Sequence, residues 1–278
     1  MYISDYSNRG GGIVKKKEIG VLGIQIGLTA DKHDNLRRAA ALIEQGFRTY
    51  KNIDLVCLPE QYYSTVTPST RDTDSEPLDS EFFYTFSELA RKYRVNIITG
   101  SFPMDKDGKV YDCDLCIKRE GVLIGDYYKT HLFDAFVSRE SDSYDAGNKL
   151  GIVDFDFGRV GLLHCFELRF GEYLRTLALK GVDMFVVPSM FYKPIEDQWH
   201  ILLNSAALNN LIYVVAPNQF NSQHFGRSCI VDPIGVNIAQ ASDMECCFYG
   251  VLNMEYQDQI RSKVPVYRNR RPELYNVH

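Results

Sequence analysis

The chain has 278 residues, 45% apolar and 24% charged, which is enough to bury a sizeable core and places it in the ordinary globular range rather than the disordered one. Its 31 basic and 36 acidic residues leave a net charge of −5 without a block of like charges, which argues against nucleic acid as a partner. No apolar run approaches the roughly 20 residues that span a bilayer; with seven cysteines in no repeating framework and no apolar secretory core at the N-terminus, a soluble protein of a reducing cytoplasm is expected.

Residues 1–17, with three consecutive glycines and three consecutive lysines, read as a flexible tail, and residues 18–278 as a single domain without an internal linker. The first strand is EIGVLGIQIG. A helix is predicted over 34–50, where Leu36, Ala39, Ala40, Leu42, Ile43 and Phe47 recur at helical spacing, and IDLVCLP is then a short buried strand. A second helix over 80–93 carries Phe82, Phe83, Phe86, Leu89 and Ala90 at the same period and leads into the strand VNIITGSF. A hairpin follows at 108–128, then strands at 150–155 and 159–165, a helix at 172–180, strand MFVVPS, a helix at 198–210 and strand IYVVAPN. Two late hairpin strands, SCIVDP and IGVNIAQA, precede a closing strand CFYGVLN. The alternation of strands and helices is that of an α/β fold.

Two segments share one frame: KNIDLVCLPE at 51–60 and KGVDMFVVPS at 180–189. Each reads as a strand whose carboxyl end, marked by proline, opens into a loop, where α/β folds place ligands. Two similar half-layers would account for the echo. The first copy ends in Glu60 and the second in Ser189.

In GRVGLLHCFELRFGE a buried strand turns through a polar stretch into a helix, a good seat for Cys165 as a nucleophile. His164 beside it would face the opposite way on a strand, so packing is its expected role rather than proton transfer. Cys113 and Cys116 lie in an alternating stretch and read as strand residues, not a redox turn. Cys246 and Cys247 would point to opposite faces of a strand, so no structural zinc is expected. The six histidines show no ligand-type spacing; no metal is expected.

LPEQYY, YYKTHLF and HCFELRFGE occur in this order, and together they resemble the Glu, Lys and Cys signatures of the nitrilase superfamily of carbon-nitrogen hydrolases. RESDSYDAG, IYVVAPNQF, GRSCIVDPIGVNIAQA and VYRNRRPELY extend the likeness over most of the chain. The resemblance implies a four-layer αββα sandwich, a homodimer paired through helices and the C-terminal tail, no cofactor, and a small amide and water as reactants. HLFD and the Glu-containing stretch after it look most like the omega-amidase branch. Carried over by motif, Cys165 is the nucleophile, Glu60 the general base and then acid, and Lys129 the cation facing the tetrahedral intermediate beside a backbone N–H near position 166. Glu140, seven residues before Gly147, is expected to position Glu60 or the substrate amine, with Asp142 and Asp145 as competing carboxylates. Tyr63, Phe166, Ser189, Met190 and Phe191 are the candidate substrate contacts. Glu167 and Arg169 are expected to anchor the loop behind Cys165 by ion pairing, and Arg270 and Arg271 to belong to the tail or an interface.

The chemistry is sound on its own terms. A thiol with an ordinary pKa of about 8.5 is a poor nucleophile until a neighbour takes its proton or a cation stabilises the thiolate. Glu60 can do the first and Lys129 the second. Attack on a carboxamide then releases ammonia and leaves a thioester for water to hydrolyse. An omega-amide is the leading substrate, although an N-carbamoyl group, a nitrile or acyl transfer to an amine would use the same residues. Outside the enzyme class, the chain would be a binding or scaffold protein, its pocket closed by the bulky Met190 and Phe191. Ser205 and Asn209 stand where relatives carry a charged helix pair, so an ion pair is expected to be lost there.

Overall fold

The computed structural model describes residues 16–136 and 138–275. The first half runs β1 (Glu18–Gln25), α1 (Lys32–Thr49), β2 (Leu55–Cys57), a short α2 (Arg71–Asp74), α3 (Glu81–Tyr93), β3 (Asn96–Lys106), β4 (Lys109–Ile117) and β5 (Leu123–Tyr128). A small hairpin of β6 (Asp134–Ala135) and β7 (Ser138–Arg139) and a 3₁₀ turn (Glu140–Asp142) lead to the second half. That half comprises β8 (Gly151–Phe155), β9 (Gly158–Leu162), a 3₁₀ turn (Cys165–Arg169), α4 (Gly171–Leu179), β10 (Met184–Val186), α5 (Glu196–Asn210), β11 (Tyr213–Ala216), β12 (Cys229–Val231) and β13 (Asn237–Gln240). The described chain closes with β14 (Cys246–Asn253), α6 (Met254–Lys263) and a 3₁₀ turn at Pro272–Leu274.

The strands form two six-stranded sheets, β14-β1-β2-β3-β4-β5 and β8-β9-β10-β11-β12-β13. In both orders the first pair is antiparallel, the next two pairs are parallel and the last two antiparallel. β2 and β10, the strands of the shared sequence frame, hold the same third place. The echo is therefore a structural repeat.

Alternation along the strands builds the layers. Ile19, Val21, Leu55, Cys57, Ile98 and Cys116 face the second sheet and share a core with Val160, Leu162, Phe185 and Val214. Their sequence neighbours Leu22, Ile24, Val56, Ile97 and Leu115 pack instead against Leu36, Ala39 and Ile43 of α1 and Phe82 and Phe86 of α3. Leu174 and Leu177 of α4 and Trp199 and Leu203 of α5 join the core of the second sheet. This is the four-layer αββα sandwich. α1 starts where Asp31 accepts from the His33 and Asp34 N–H groups, satisfying orphan donors of its first turn.

Two features differ from the sequence reading. α6 was not legible, because MEYQDQIRSK buries just Met254 and Gln257 and shows no apolar stripe. β9 ends at Leu162, so Cys165 lies on a turn rather than on the strand. At the expected tail boundary, Lys16 pairs with Asp54 and Lys17 with Glu255, each at 2.6 Å; the rest of the tail lies outside the described residues. Cys246 and Cys247 do pack into different cores. The lost helix pair is replaced by a neutral bond from Asn209 Nδ2 to Ser205 Oγ at 2.9 Å. Among the described residues no helix is long and apolar enough to cross a membrane.

Candidate active site

Glu60 leaves β2 after Pro59 and is fully buried. Its position depends on Gly100, whose φ of +69° lets the β3 backbone approach so closely that a Cβ there would lie 2.1 Å from the Pro59 carbonyl oxygen. Lys129 follows β5. Its backbone N–H donates to the Asp112 carbonyl at 3.0 Å and its carbonyl accepts from Gly147 N–H at 2.8 Å. Gly147 is needed there, since a Cβ would meet the Tyr128 carbonyl oxygen at 2.2 Å.

The two side chains meet 69 residues apart in sequence: Lys129 Nζ donates to Glu60 Oε1 at 2.7 Å and to Glu140 Oε1 at 2.8 Å. Glu60 Oε2 accepts from the Met190 backbone N–H at 3.0 Å, and its main-chain carbonyl from Gln219 Nε2 at 2.8 Å. Glu140 Oε2 accepts from Phe133 N–H at 2.7 Å. Glu140 is thus the carboxylate that reaches Lys129; Asp145 instead pairs with Arg71 at 2.6 Å and Asp142 with Arg139 at 3.6 Å.

Cys165 opens its 3₁₀ turn with φ +41°, a backbone conformation that non-glycine residues seldom take and that concentrates at functional sites. Its N–H donates to the Pro188 carbonyl at 3.0 Å, tying the turn to the end of β10. Burial and the Glu60 carboxylate push its thiol well above the ordinary range, while Lys129 and the Met190 N–H act in the opposite sense. Burial likewise pushes the Glu60 carboxyl up to about 8 against the pull of Lys129. Lys129 keeps its charge, because Glu140 and Glu60 outweigh the burial that opposes it. Cys165 therefore rests as a thiol beside a carboxyl whose proton affinity is also raised, with a fixed cation next to both. That arrangement can pass a proton from sulfur to Glu60 and back to a leaving group.

Glu167 anchors the loop behind Cys165, though not by pairing with Arg169. Its Oε1 accepts from the N–H groups of Thr130 and His131 and from the Thr130 hydroxyl, and its Oε2 from His164 N–H and Tyr127 Oη. Arg169 reaches Gln198. The substrate-contact expectations separate. Phe166 is partly exposed and meets Phe133 edge to face at 5.1 Å, making an aromatic wall beside Cys165. Met190 is also partly exposed, yet its backbone N–H is its clearest contribution. Tyr63, in contrast, is buried against Phe82 with its hydroxyl donating to Glu76, Ser189 Oγ donates to the Val187 carbonyl, and the Phe191 ring packs on Trp199. These three side chains are used within the core. The Met190 N–H was missed, since a backbone donor leaves no motif; Phe133 ends the motif YYKTHLF but was not singled out.

His164 is not merely packed. It lies between Asp114, with Nε2 to Oδ2 at 2.8 Å, and Asp112, with Nδ1 to Oδ2 at 3.6 Å, all three buried. Ligand-type atoms of Glu60, Asp112 and His164 fall within 4.8 Å of one another, the one set among the described residues that could hold a metal. The Lys129 ammonium on Glu60 and the charge on His164 repel a divalent ion, so the set reads as an ion-pair network.

A model of the carbon-nitrogen hydrolase family matches residues 18–261. The chain belongs to that family. It is 31% identical over 281 residues to an omega-amidase of Saccharomyces cerevisiae, covering 95% of this chain and 97% of that one. It is 29% identical over 269 residues to the deaminated glutathione amidase of Mus musculus, covering 90% and 83%. A crystal structure of a Saccharomyces cerevisiae protein, described as a member of branch 10 of the nitrilase superfamily, superposes with a TM-score of 0.85 at 30% identity, covering 94% of this chain and 99% of that one. This carbon-nitrogen hydrolase is an enzyme acting on bonds other than peptide bonds, and it resembles the omega-amidase members of the superfamily.

Proposed function

We propose that the enzyme hydrolyses the terminal carboxamide of a small linear omega-amide through a Cys165 thioester, releasing ammonia. The observation that carries this reading is the Glu60 carboxylate, held by the Lys129 ammonium on one oxygen and the Met190 N–H on the other, beside Cys165. Glu60 takes the thiol proton as sulfur attacks the amide carbon. Lys129 and a backbone N–H near Phe166 face the oxyanion, a donor there being worth about 3–4 kcal/mol. Glu60 returns the proton to the departing nitrogen, then activates the water that opens the thioester. Glu140 fixes the ammonium, so it positions the catalytic pair. The names of the omega-amidase relatives support the choice of substrate.

Ammonia release measured across mono-amides of short dicarboxylic acids, N-carbamoyl amino acids and nitriles tests it. Preference for a carbamoyl compound or a nitrile would overturn the substrate, and turnover by Cys165→Ala would overturn the mechanism.

Residues 18–278 are proposed as one domain. We place the enzyme in the cytoplasm on its seven free thiols, and as a homodimer through the α4–α5 face. There a hollow of about 630 Å³ is lined by Leu174, Arg175, Leu208, Val264 and Val266, with Leu208 and Val264 exposed.

A further inference from the structure

The strand β4 places Asp112 and Asp114 on one face, two residues apart and both buried, directed at His164 at the end of β9. Two carboxylates removed from water are costly unless a cation balances them. The imidazole is the one cation in reach of both: burial works against its charge, but Asp114 and Asp112 outweigh burial and hold it protonated well above the ordinary range. Asp112 is kept at about 2, since His164 and Lys129 outweigh its burial. The two Asp112 oxygens and His164 Nδ1 make no hydrogen bond, so their attraction is one of charge at 3.6 Å rather than a directed bond.

This network adjoins the base. Glu60 is faced by Lys129 after β5, Glu140 of the 3₁₀ turn, Asp112 of β4 and His164 and Cys165 after β9. His164 is faced by Asp112 and Asp114 of β4, the Tyr127 ring of β5 edge-on at 5.0 Å, Glu60 beyond β2, and Glu167, which accepts its backbone N–H at 2.7 Å. Four carboxylates (Glu60, Glu140, Asp112 and Asp114) thus share two cations, Lys129 and His164.

We propose that His164, clamped as an imidazolium between Asp112 and Asp114, is a positioning residue for Glu60: it is the second buried cation of the site and fixes the pH range in which Glu60 accepts the Cys165 proton. This rests on the assignment of Glu60 as the base. The signs are opposite for the two partners. Removing the His164 charge leaves Asp112 and Asp114 repelling an ionised Glu60, so Glu60 ionises at higher pH. Removing the Asp112 charge lets it ionise at lower pH.

The test is the pH dependence of Cys165 alkylation by iodoacetamide, followed site by site by mass spectrometry in the intact chain. The wild-type rate should rise through a limb near about 8, and Glu60→Gln should abolish that limb. His164→Gln should move it up and Asp112→Asn down, each by about one pH unit or more, the shift usual for a charge within ~4–6 Å. The double variant should fall between. A limb surviving Glu60→Gln sinks the base assignment and the proposal with it. A limb lost in Glu60→Gln but unmoved in the other two, or rates lowered equally at every pH, sinks the proposal alone. Asp112→Asn is nearly isosteric and carries the test if His164→Gln does not fold. Stoichiometric metal in the purified wild type that is lost from His164→Gln would also overturn it, the same atoms then being ligands.

Discussion

Glu167→Gln should cost the fold much of its stability at neutral pH and flatten its response to acid. The buried carboxylate gathers hydrogen bonds from Tyr127, Thr130, His131 and His164. Burial would raise its pKa, but the His131 bond, the His164 charge and the Thr130 bond outweigh burial and lower it from 4.5 to about 2. At about 1.4 kcal/mol per unit this is roughly 3 kcal/mol. Because the folded value is the depressed one, the contribution is complete above 4.5 and is lost as the pH falls to about 2. A glutamine accepts on one oxygen only, so its amide group must face either the His164 N–H or the Thr130 and His131 donors. The orphaned donor adds about 1–3 kcal/mol. The expected loss is therefore about 4–6 kcal/mol, against a typical total of about 5–15 kcal/mol. Urea unfolding of wild type and variant, at neutral pH and at several points between 4.5 and 2, measures both effects. An unchanged neutral midpoint, or an acid loss as steep in the variant as in the wild type, would refute the reasoning.

Other outcomes follow from the same geometry. Amide turnover should rise with pH through a limb near about 8, since Glu60 must be ionised to accept a proton, and Glu60→Gln should lower kcat/KM by about 10²–10⁴ and erase the limb; a variant that keeps it counts against the base role. Lys129→Met removes the cation shared by Glu60 and Glu140, so unfolding experiments should show a loss of about 3–5 kcal/mol. Its kcat should fall at least about 10²–10³, with near-normal turnover contradicting the oxyanion role. Gly100→Ala forces a side chain into φ +69° and to 2.1 Å from the Pro59 oxygen, so Glu60 must shift; reduced kcat/KM and a lower Tm are expected, and wild-type values for both would show that β3 yields freely.

Fold and site were legible to different degrees, for physical reasons. Strands such as IDLVCLP and helices such as α1 declare themselves because burial imposes a period on the sequence, and the repeat of β2 in β10 was visible as a shared frame. The site residues have no such period. Glu60 and Lys129 each look like ordinary surface residues, and their burial arises when strand ends distant in sequence converge; the motif resemblance, not the local pattern, singled them out. Asp112 and Asp114 gave no signal for a clearer reason. Alternating VYDCDLC reads as a strand with its aspartates in water, as on a sheet with one solvated face. β4 is covered by helices on one face and by the second sheet on the other, so its polar face is interior as well. The one local clue was a histidine, His164, directly after the apolar run VGLL.

The repeat also explains why the chemistry is divided as it is. β2 and β10 hold equivalent places, and Pro59-Glu60 and Pro188-Ser189 end them alike. Only the first copy carries an acid. At the β10 end the Ser189 hydroxyl turns back to its own strand, and what reaches the centre is backbone: the Pro188 carbonyl that receives Cys165 N–H and the Met190 N–H that holds Glu60. On the proposed mechanism each half supplies what the other lacks, an acid-base group and cation from the first, a nucleophile and fixed backbone dipoles from the second. Two charged groups at equivalent strand ends would repel across the same buried space, whereas a carboxylate opposite an N–H attracts. Ser189→Asp should therefore lower Tm and kcat/KM far more than Ser189→Ala, because it places a second carboxylate at the equivalent strand end; equal losses in the two variants would refute the argument.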